Sequence, residues 1–328
     1  MTAPAQGTLA VPEGLGRLGL GTAGIGNLFD AISDDDAHRT IDAAWEGGIR
    51  AFDTAPHYGL GLAERRLGAA LARYPREEFL LSTKVGRLLA PTPESADRTD
   101  DEGFVVPAAH RRVWDASPAG VRRSLSESLG RIGTDWIDIA YLHDPDEYDL
   151  EGGIATGLPA LAEAKAAGLV RAVGIGSKSV RALGIAVRTG LCDLIMVAGR
   201  LTILDDSGTE LVELCRQYGV GIVNVGVFNS GALAAPKPGP ELMFEYAPIT
   251  ADRLAALERV HAVCADFGVS VADAALQYSW TLPGVVNVTV GAAADWQIRA
   301  SLAGMDTAID PALWPALAAA VAAESEPG

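Results

Sequence analysis

The chain contains the stretch Gly48-Ile49-Arg50-Ala51-Phe52-Asp53-Thr54-Ala55-Pro56-His57-Tyr58-Gly59, and its reading decides the architecture. Residues 48–52 read as a short strand leaving a helix, and residues 62–71 as the helix that follows. Asp53 therefore falls at the carboxyl end of a strand, and Tyr58 in the next loop. A strand end holds a carboxylate rigidly, and a loop tip can carry a phenol to a substrate. Taken alone, the same letters also serve an Asx turn and a packed ring. The rest of the chain has to separate the two.

Outward from this stretch one rhythm repeats. Ser33 is a helix cap followed by Asp34, Asp35 and Asp36 in the first turn. That helix runs to about Glu46 and stops at Gly47-Gly48. Buried strands are predicted at 17–21, 48–52, 79–84, 136–142, 170–175, 194–197, 220–225 and 285–290. A helix is predicted after each, at 33–46, 62–71, 119–129, 154–167, 180–187, 209–217, 252–266 with 271–279, and 295–302. A terminal helix is expected at 311–323. Strands alternating with helices argue a parallel sheet. Eight such units in 328 residues argue a closed (β/α)8 TIM barrel, one domain over 1–328. Residues 9–21 are expected to include a small hairpin closing one end of the core. Residues 86–115 break the rhythm, with prolines and charges and no clear period. They are expected to be a long substrate loop, at about 86–116. Gly19-Leu20-Gly21-Thr22-Ala23-Gly24 fits the letters of a dinucleotide fingerprint. No helix is expected to begin at Gly24, so a Rossmann fold is rejected.

Composition narrows the function. The formal net charge is −16, which argues against a nucleic-acid partner. No apolar run reaches the 18 or so residues of a membrane span. Residues 1–15 lack the basic and apolar regions of a signal peptide. Cys192, Cys215 and Cys264 sit in apolar surroundings with no Cys-x-x-Cys pair and read as reduced core residues of a cytoplasmic protein. His38, His57, His110, His143 and His261 have no metal-ligand spacing, so no metal is expected.

In a barrel all strand carboxyl ends meet on one face, where the chemistry sits. Asp53, Tyr58, Lys84 and His143 all fall there. Singly, Lys84 is also a surface lysine and His143 a hydrogen-bonded strand end. Together they make a proton-transfer set. A phenol with a pKa near 10 is a poor acid or base at neutral pH, and a nearby ammonium favours its phenolate. Asp53 would keep Lys84 charged and oriented, and His143 would position a substrate oxygen.

With these residues in view, the sequence resembles the aldo-keto reductase superfamily. The matching pieces are Asp53-Thr54-Ala55-x-x-Tyr58-Gly59 with Glu64 and Gly68, Ser82-Thr83-Lys84-Val85-Gly86, Leu142-His143-Asp144-Pro145-Asp146, Ser124-Leu125-x-x-Ser128-Leu129 and Gly174-Ile175-Gly176-Ser177. Within it the chain most resembles the aldose 1-dehydrogenase branch, through Pro56-His57, Val113-Trp114-Asp115, Ala198-Gly199-Arg200 and Phe228-Asn229-Ser230-Gly231. The resemblance implies a barrel that binds a nicotinamide cofactor, with Tyr58 as acid/base, Lys84 and Asp53 as its tuners and His143 as substrate orienter. It implies cofactor contacts from Gly21, Thr22, Asp53, Ser177, Met196, Arg200, Phe228, Asn229, Ser230, Gly231, Leu233, Gly291, Ala292 and Gln297. Met196 stands where many members carry Gln, and Phe228 where many carry a stacking Tyr. The substrate is expected to be a sugar or aldehyde, met by His57, Trp114 and Asp144, with Phe104 and Trp114 either capping it or only anchoring their loop. The expected reaction is oxidation of a free aldose at C1, with carbonyl reduction or a low-turnover regulatory barrel as alternatives. In NADP-using relatives a Lys-Ser pair and an Arg meet the extra phosphate. Those places hold Gly291-Ala292 and Gln297, so NAD is expected over NADP, with Arg299 the one nearby cation. A homo-oligomer stays open.

Overall fold

Residues 11–322 are described by the computed structural model. In chain order the elements are β1 (Leu18–Gly21), α1 (Asp34–Glu46), β2 (Ala51–Asp53), α2 (Leu62–Leu71), β3 (Leu80–Val85), β4 (Arg87–Pro91), β5 (His110–Trp114), α3 (Pro118–Ile132), β6 (Ile139–His143) and α4 (Leu150–Ala166). There follow β7 (Ala172–Ser177), α5 (Val180–Arg188), β8 (Leu194–Ala198), α6 (Thr209–Tyr218), β9 (Gly221–Val225), β10 (Met243–Phe244) and β11 (Ala247–Pro248). The last are α7 (Ala251–Asp266), α8 (Val271–Tyr278), β12 (Val285–Gly291), α9 (Asp295–Met305) and α10 (Leu313–Ala322). Eight parallel strands close a barrel in the order β1-β12-β9-β8-β7-β6-β3-β2. This is the (β/α)8 architecture read from the alternation.

Local chemistry explains the elements. Ser33 caps α1 in a reciprocal box with Asp36, and Ser117, Asp149, Ser179, Thr250 and Ser270 cap α3, α4, α5, α7 and α8. Strand side chains alternate, so Ala51, Leu80, Ile139, Tyr141, Leu194, Met196 and Val223 fill the barrel interior. Leu81, Leu142, Ile175, Ile195 and Ile222 pack outward against the helices.

Four expectations change in detail. Described residues before β1 form no strand, and residues 9 and 10 of the expected hairpin lie outside the described residues. Leu15 does the closing instead: it joins the interior cluster, and Asn287 Nδ2 donates to its carbonyl at 3.2 Å. A short 3₁₀ turn, Gly24–Gly26, follows β1 where no helix was expected. Residues 136–138 are not strand, because Asp138 accepts from the Leu81 amide at 2.9 Å and pairs with Arg76 at 2.6 Å. Residues 86–115 are not aperiodic. β4 and β5 pair antiparallel from Arg87↔Trp114 to Pro91↔His110, and the far end is tied down by the bridges Leu28↔Phe104 and Thr99↔Pro107.

Candidate active site

Alternation places the chemistry. Ala51 and Asp53 share the inner face of β2, Ser82 and Lys84 that of β3, and Tyr141 and His143 that of β6. Register sets Asp53 beside Ser82, and Lys84 beside Tyr141. Asp53 accepts from Ser82 Oγ at 2.7 Å and from Lys84 Nζ at 2.5 Å. Lys84 Nζ also donates to the Thr54 carbonyl at 3.1 Å and lies 4.6 Å from the centre of the Tyr58 ring. The His143 ring stands edge-on to Tyr58 at 6.1 Å. All four expected residues are thus brought into one cluster. The Tyr58 loop reaches its place because Gly59 adopts φ +59° against the Gly26 carbonyl, where any side chain would collide.

The electrostatics depart from expectation at Tyr58. Burial pushes its phenol up to about 12; the Lys84 ammonium pulls it down and Asp53 pushes it up. Lys84 therefore moderates the effect of burial but does not bring the phenol below its ordinary value in the free protein. Burial works against the Lys84 ammonium, yet Asp53 and Tyr58 outweigh it and raise its pKa. His143 is held well below the ordinary imidazole value by burial and then by Arg87, Lys84 and His57. Its ring is neutral, and its Nδ1 is buried with no partner among the described residues. His57 behaves alike, lowered to about 2 by burial, Arg87, Arg112 and Lys84.

The other expected residues divide. Asp144 has φ +39°, pairs with Arg87 at 2.6 Å and lies 3.3 Å from His143 Nε2. Trp114 is sandwiched between Arg87, 4.5 Å above its ring, and Tyr148, stacked at 5.5 Å. Phe104 stacks on Tyr58 at 6.1 Å. Thr22 spends its hydroxyl and amide on the Asp53 carbonyl, at 2.9 and 3.0 Å. Gly21 pairs with Gly291, and Ala292 packs its carbonyl against Gly24. Ser177 donates to Asp146 at 2.7 Å and accepts from the Ser179 amide at 2.8 Å. Met196 belongs to the interior packing, and Leu233 is fully buried under its loop. Arg200 is ion-paired with Asp205 and Glu245 and bonded to the Lys178 carbonyl. Gln297 Oε1 accepts from the Ala293 and Ala294 amides, closing the start of α9. Thr22 and Ser177 thus spend their hydroxyls on the protein, Arg200 its Nε and Nη1 and Gln297 its Oε1, and Leu233 turns away into the core.

The loop after β9 is different. Asn229, Ser230 and Gly231 have successive positive φ of 45°, 56° and 94°. Both side-chain amide atoms of Asn229 are buried without a partner among the described residues. A Cβ on Gly231 or Gly291 would meet nothing within 4 Å. Buried polar groups are normally paired, so this unpaired amide on a strained turn fits a polar ligand such as a dinucleotide. Sequence reasoning missed Arg87 and Arg112, which are 4% and 5% exposed at the side chain and hold the acids around the site. It also missed Tyr246, whose ring lies 5.8 Å from that of Phe29 and whose amide donates to Ser230 Oγ at 3.1 Å. The run of charges in residues 86–115 was the available signal for the two arginines.

Comparison with known proteins bears on this geometry. Residues 17–322 match the model of the Aldo/keto reductase family. The chain is 44% identical to a D-threo-aldose 1-dehydrogenase of a Pseudomonas species, over 97% of this chain and 96% of that one. It is 36% identical to a pyridoxal 4-dehydrogenase of Microbacterium luteolum, covering 92% of each. A holo aldo-keto reductase of Bacillus halodurans superposes with a TM-score of 0.74 at 26% identity, covering 94% of each chain. With the closed barrel and the cluster at its carboxyl face, these matches show that the chain is an oxidoreductase belonging to the aldo/keto reductase family.

Proposed function

We propose that the protein oxidises a free aldose, such as L-fucose, D-arabinose or L-galactose, at C1 to the lactone, using NAD. The observation that carries this reading is the Asp53–Lys84–Tyr58–His143 cluster, with Asp53, Lys84 and His143 buried around a half-buried Tyr58, on a chain 44% identical to an aldose 1-dehydrogenase. A bound nicotinamide supplies the hydride-accepting carbon. Tyr58 receives the C1 hydroxyl proton as tyrosinate. Lys84, charged through its 2.5 Å pair with Asp53, favours that tyrosinate. His143, neutral and with a free buried nitrogen, orients the sugar oxygen. Asn229 and its turn would hold the cofactor. The β4–β5 hairpin covers the substrate side with Phe104. An intact cluster speaks against a low-turnover regulatory barrel.

NAD is favoured because Gly291 and Ala292 offer no charge to a ribose phosphate, and Gln297 is engaged within α9. Arg299 turns to Glu46 at 3.3 Å and Asp295 at 3.8 Å. Reduction of an aldehyde by the same residues in reverse is the second reading, favoured by the 36% identity to a pyridoxal dehydrogenase. Three buried free cysteines suit a reducing cytoplasm. The test is a panel of free aldoses and aromatic aldehydes, assayed with both cofactors in both directions. Aldose oxidation with NAD as the most efficient reaction is expected; a panel led by aldehyde reduction overturns the aldose reading.

A further inference from the structure

Arg112 lies on β5, outside every motif that marked the site, yet its guanidinium is tied to the loop carrying Tyr58. Nε donates to His57 Nδ1 at 2.7 Å and Nη2 to the His57 carbonyl at 3.0 Å. Nη1 and Nη2 grip Asp100 at 2.6 and 3.0 Å, and the Asp100 side chain is 3% exposed. A guanidinium can only donate. His57 Nδ1 must therefore accept, which leaves the ring proton on Nε2. Glu102, 3.6 Å from Nδ1, is 45% exposed and does not compete. Burial and the cations Arg87, Arg112 and Lys84 keep the ring neutral.

The His57 ring sits 5.9 Å from the Tyr58 ring, 5.6 Å from that of His143 and 5.2 Å from that of Phe104. Its Nε2 has no partner among the described residues. Tyr58 and His143 flank the reacting oxygen in the reading above, on which this inference rests. The three rings of His57, Tyr58 and His143 crowd one place, so a donor on His57 is close enough to meet an atom next to the one held between the other two. We propose that Arg112 is a positioning residue that locks His57 as the Nε2–H tautomer, so that His57 donates to the substrate oxygen on the carbon beside the reacting one. A substrate lacking that oxygen leaves the donor unpaired in a covered pocket, a loss of about 10–100-fold in efficiency.

The test compares kcat/KM for D-arabinose against 2-deoxy-D-ribose in oxidation, and for lactaldehyde against propanal in reduction. Wild type is expected to prefer the oxygenated member of each pair by about 10–100-fold. His57→Phe should bring the preference to within about threefold, His57→Gln should restore part of it, and Arg112→Met should abolish it without adding to His57→Phe. An Arg112→Met enzyme that loses activity on both members equally, with the preference kept, overturns the proposal. Imidazole ¹⁵N spectra of the unmodified protein, with His57 assigned by its loss in His57→Phe, decide independently of whether Arg112→Met folds. Protonated Nε2 with bare Nδ1 is expected, and the opposite tautomer or a charged ring near neutral pH overturns the proposal. If aldoses are not oxidised but lactaldehyde is still preferred over propanal, the aldose reading fails and this inference stands. If aldose and deoxyaldose are oxidised equally, the inference fails and the aldose reading stands.

Discussion

Asp144→Asn is the substitution whose effect the structure specifies most closely. Asp144 follows His143 at a strand end, its side chain 18% exposed and paired with Arg87. Burial lifts its carboxyl from 3.8 to about 7, Arg87 opposes, and Glu147 and Asp146 add to the rise. Burial prevails because Arg87 is shared: it also binds Glu147 at 2.9 Å and faces Glu102 at 3.8 Å. A folded pKa above the unfolded one means that the folded state holds the proton longer. Between about pH 4 and pH 7 the unfolded carboxyl is charged while the folded one is still neutral, so this group's contribution falls as pH rises. At 1.36 kcal/mol per unit, the lost contribution is about 4 kcal/mol, complete above the folded value. An amide at this site does not titrate. Wild type and Asp144→Asn should be about equally stable near pH 4, and the variant should gain about 4 kcal/mol on wild type by about pH 8. The difference cancels the contribution of His57, and that of His143 except for its 3.3 Å contact with Asp144. Their lowered pKa values act oppositely, withdrawing stability as pH falls below the unfolded imidazole value of 6.5. The assay is urea denaturation of both proteins at stepped pH. A stability difference that stays constant across that range refutes the reasoning.

Other outcomes follow from the same geometry. Tyr58→Phe should lower turnover by about 10²–10⁴-fold with cofactor affinity nearly unchanged, by steady-state kinetics and fluorescence titration; turnover within threefold of wild type would remove Tyr58 from the proton path. Oxidation should speed up from neutral to alkaline pH, because the base we propose is the Tyr58 tyrosinate, whose pKa is raised to about 12 in the free protein. An ammonium 4.6 Å from the ring centre favours that tyrosinate by about 3.6 kcal/mol at an effective dielectric near 20, so Lys84→Met should move the rise to higher pH by roughly two and a half units. An unmoved profile means that Lys84 does not tune Tyr58. The ratio of catalytic efficiencies with NAD and NADP should exceed one, and a ratio at or below one shows that the pocket at Gly291 is misread.

Much of this protein is legible before folding is considered. A strand alternates its side chains every second residue and a helix turns every 3.6, so position in the chain already says which face Asp53, Lys84 and His143 share. Ser33 and Gly47 mark the ends of α1 by hydrogen bonds made within a few residues. The barrel and its cluster of four follow from such local rules and the closing of eight repeats. What the local rules leave open is the choice of partner for each charge. Residues 86–115 carry many acids and bases, and only the antiparallel pairing of β4 with β5 turns Arg112 to His57 and Arg87 to Asp144. The Tyr58 phenol rises rather than falls because burial is a sum over strands and loops distant in sequence, against which one neighbouring ammonium is the smaller effect. Sequence by itself determined the fold, the carboxyl face and the residues that meet there. Tertiary structure alone decided their protonation and pairing, because those depend on desolvation and on distances between groups far apart along the chain.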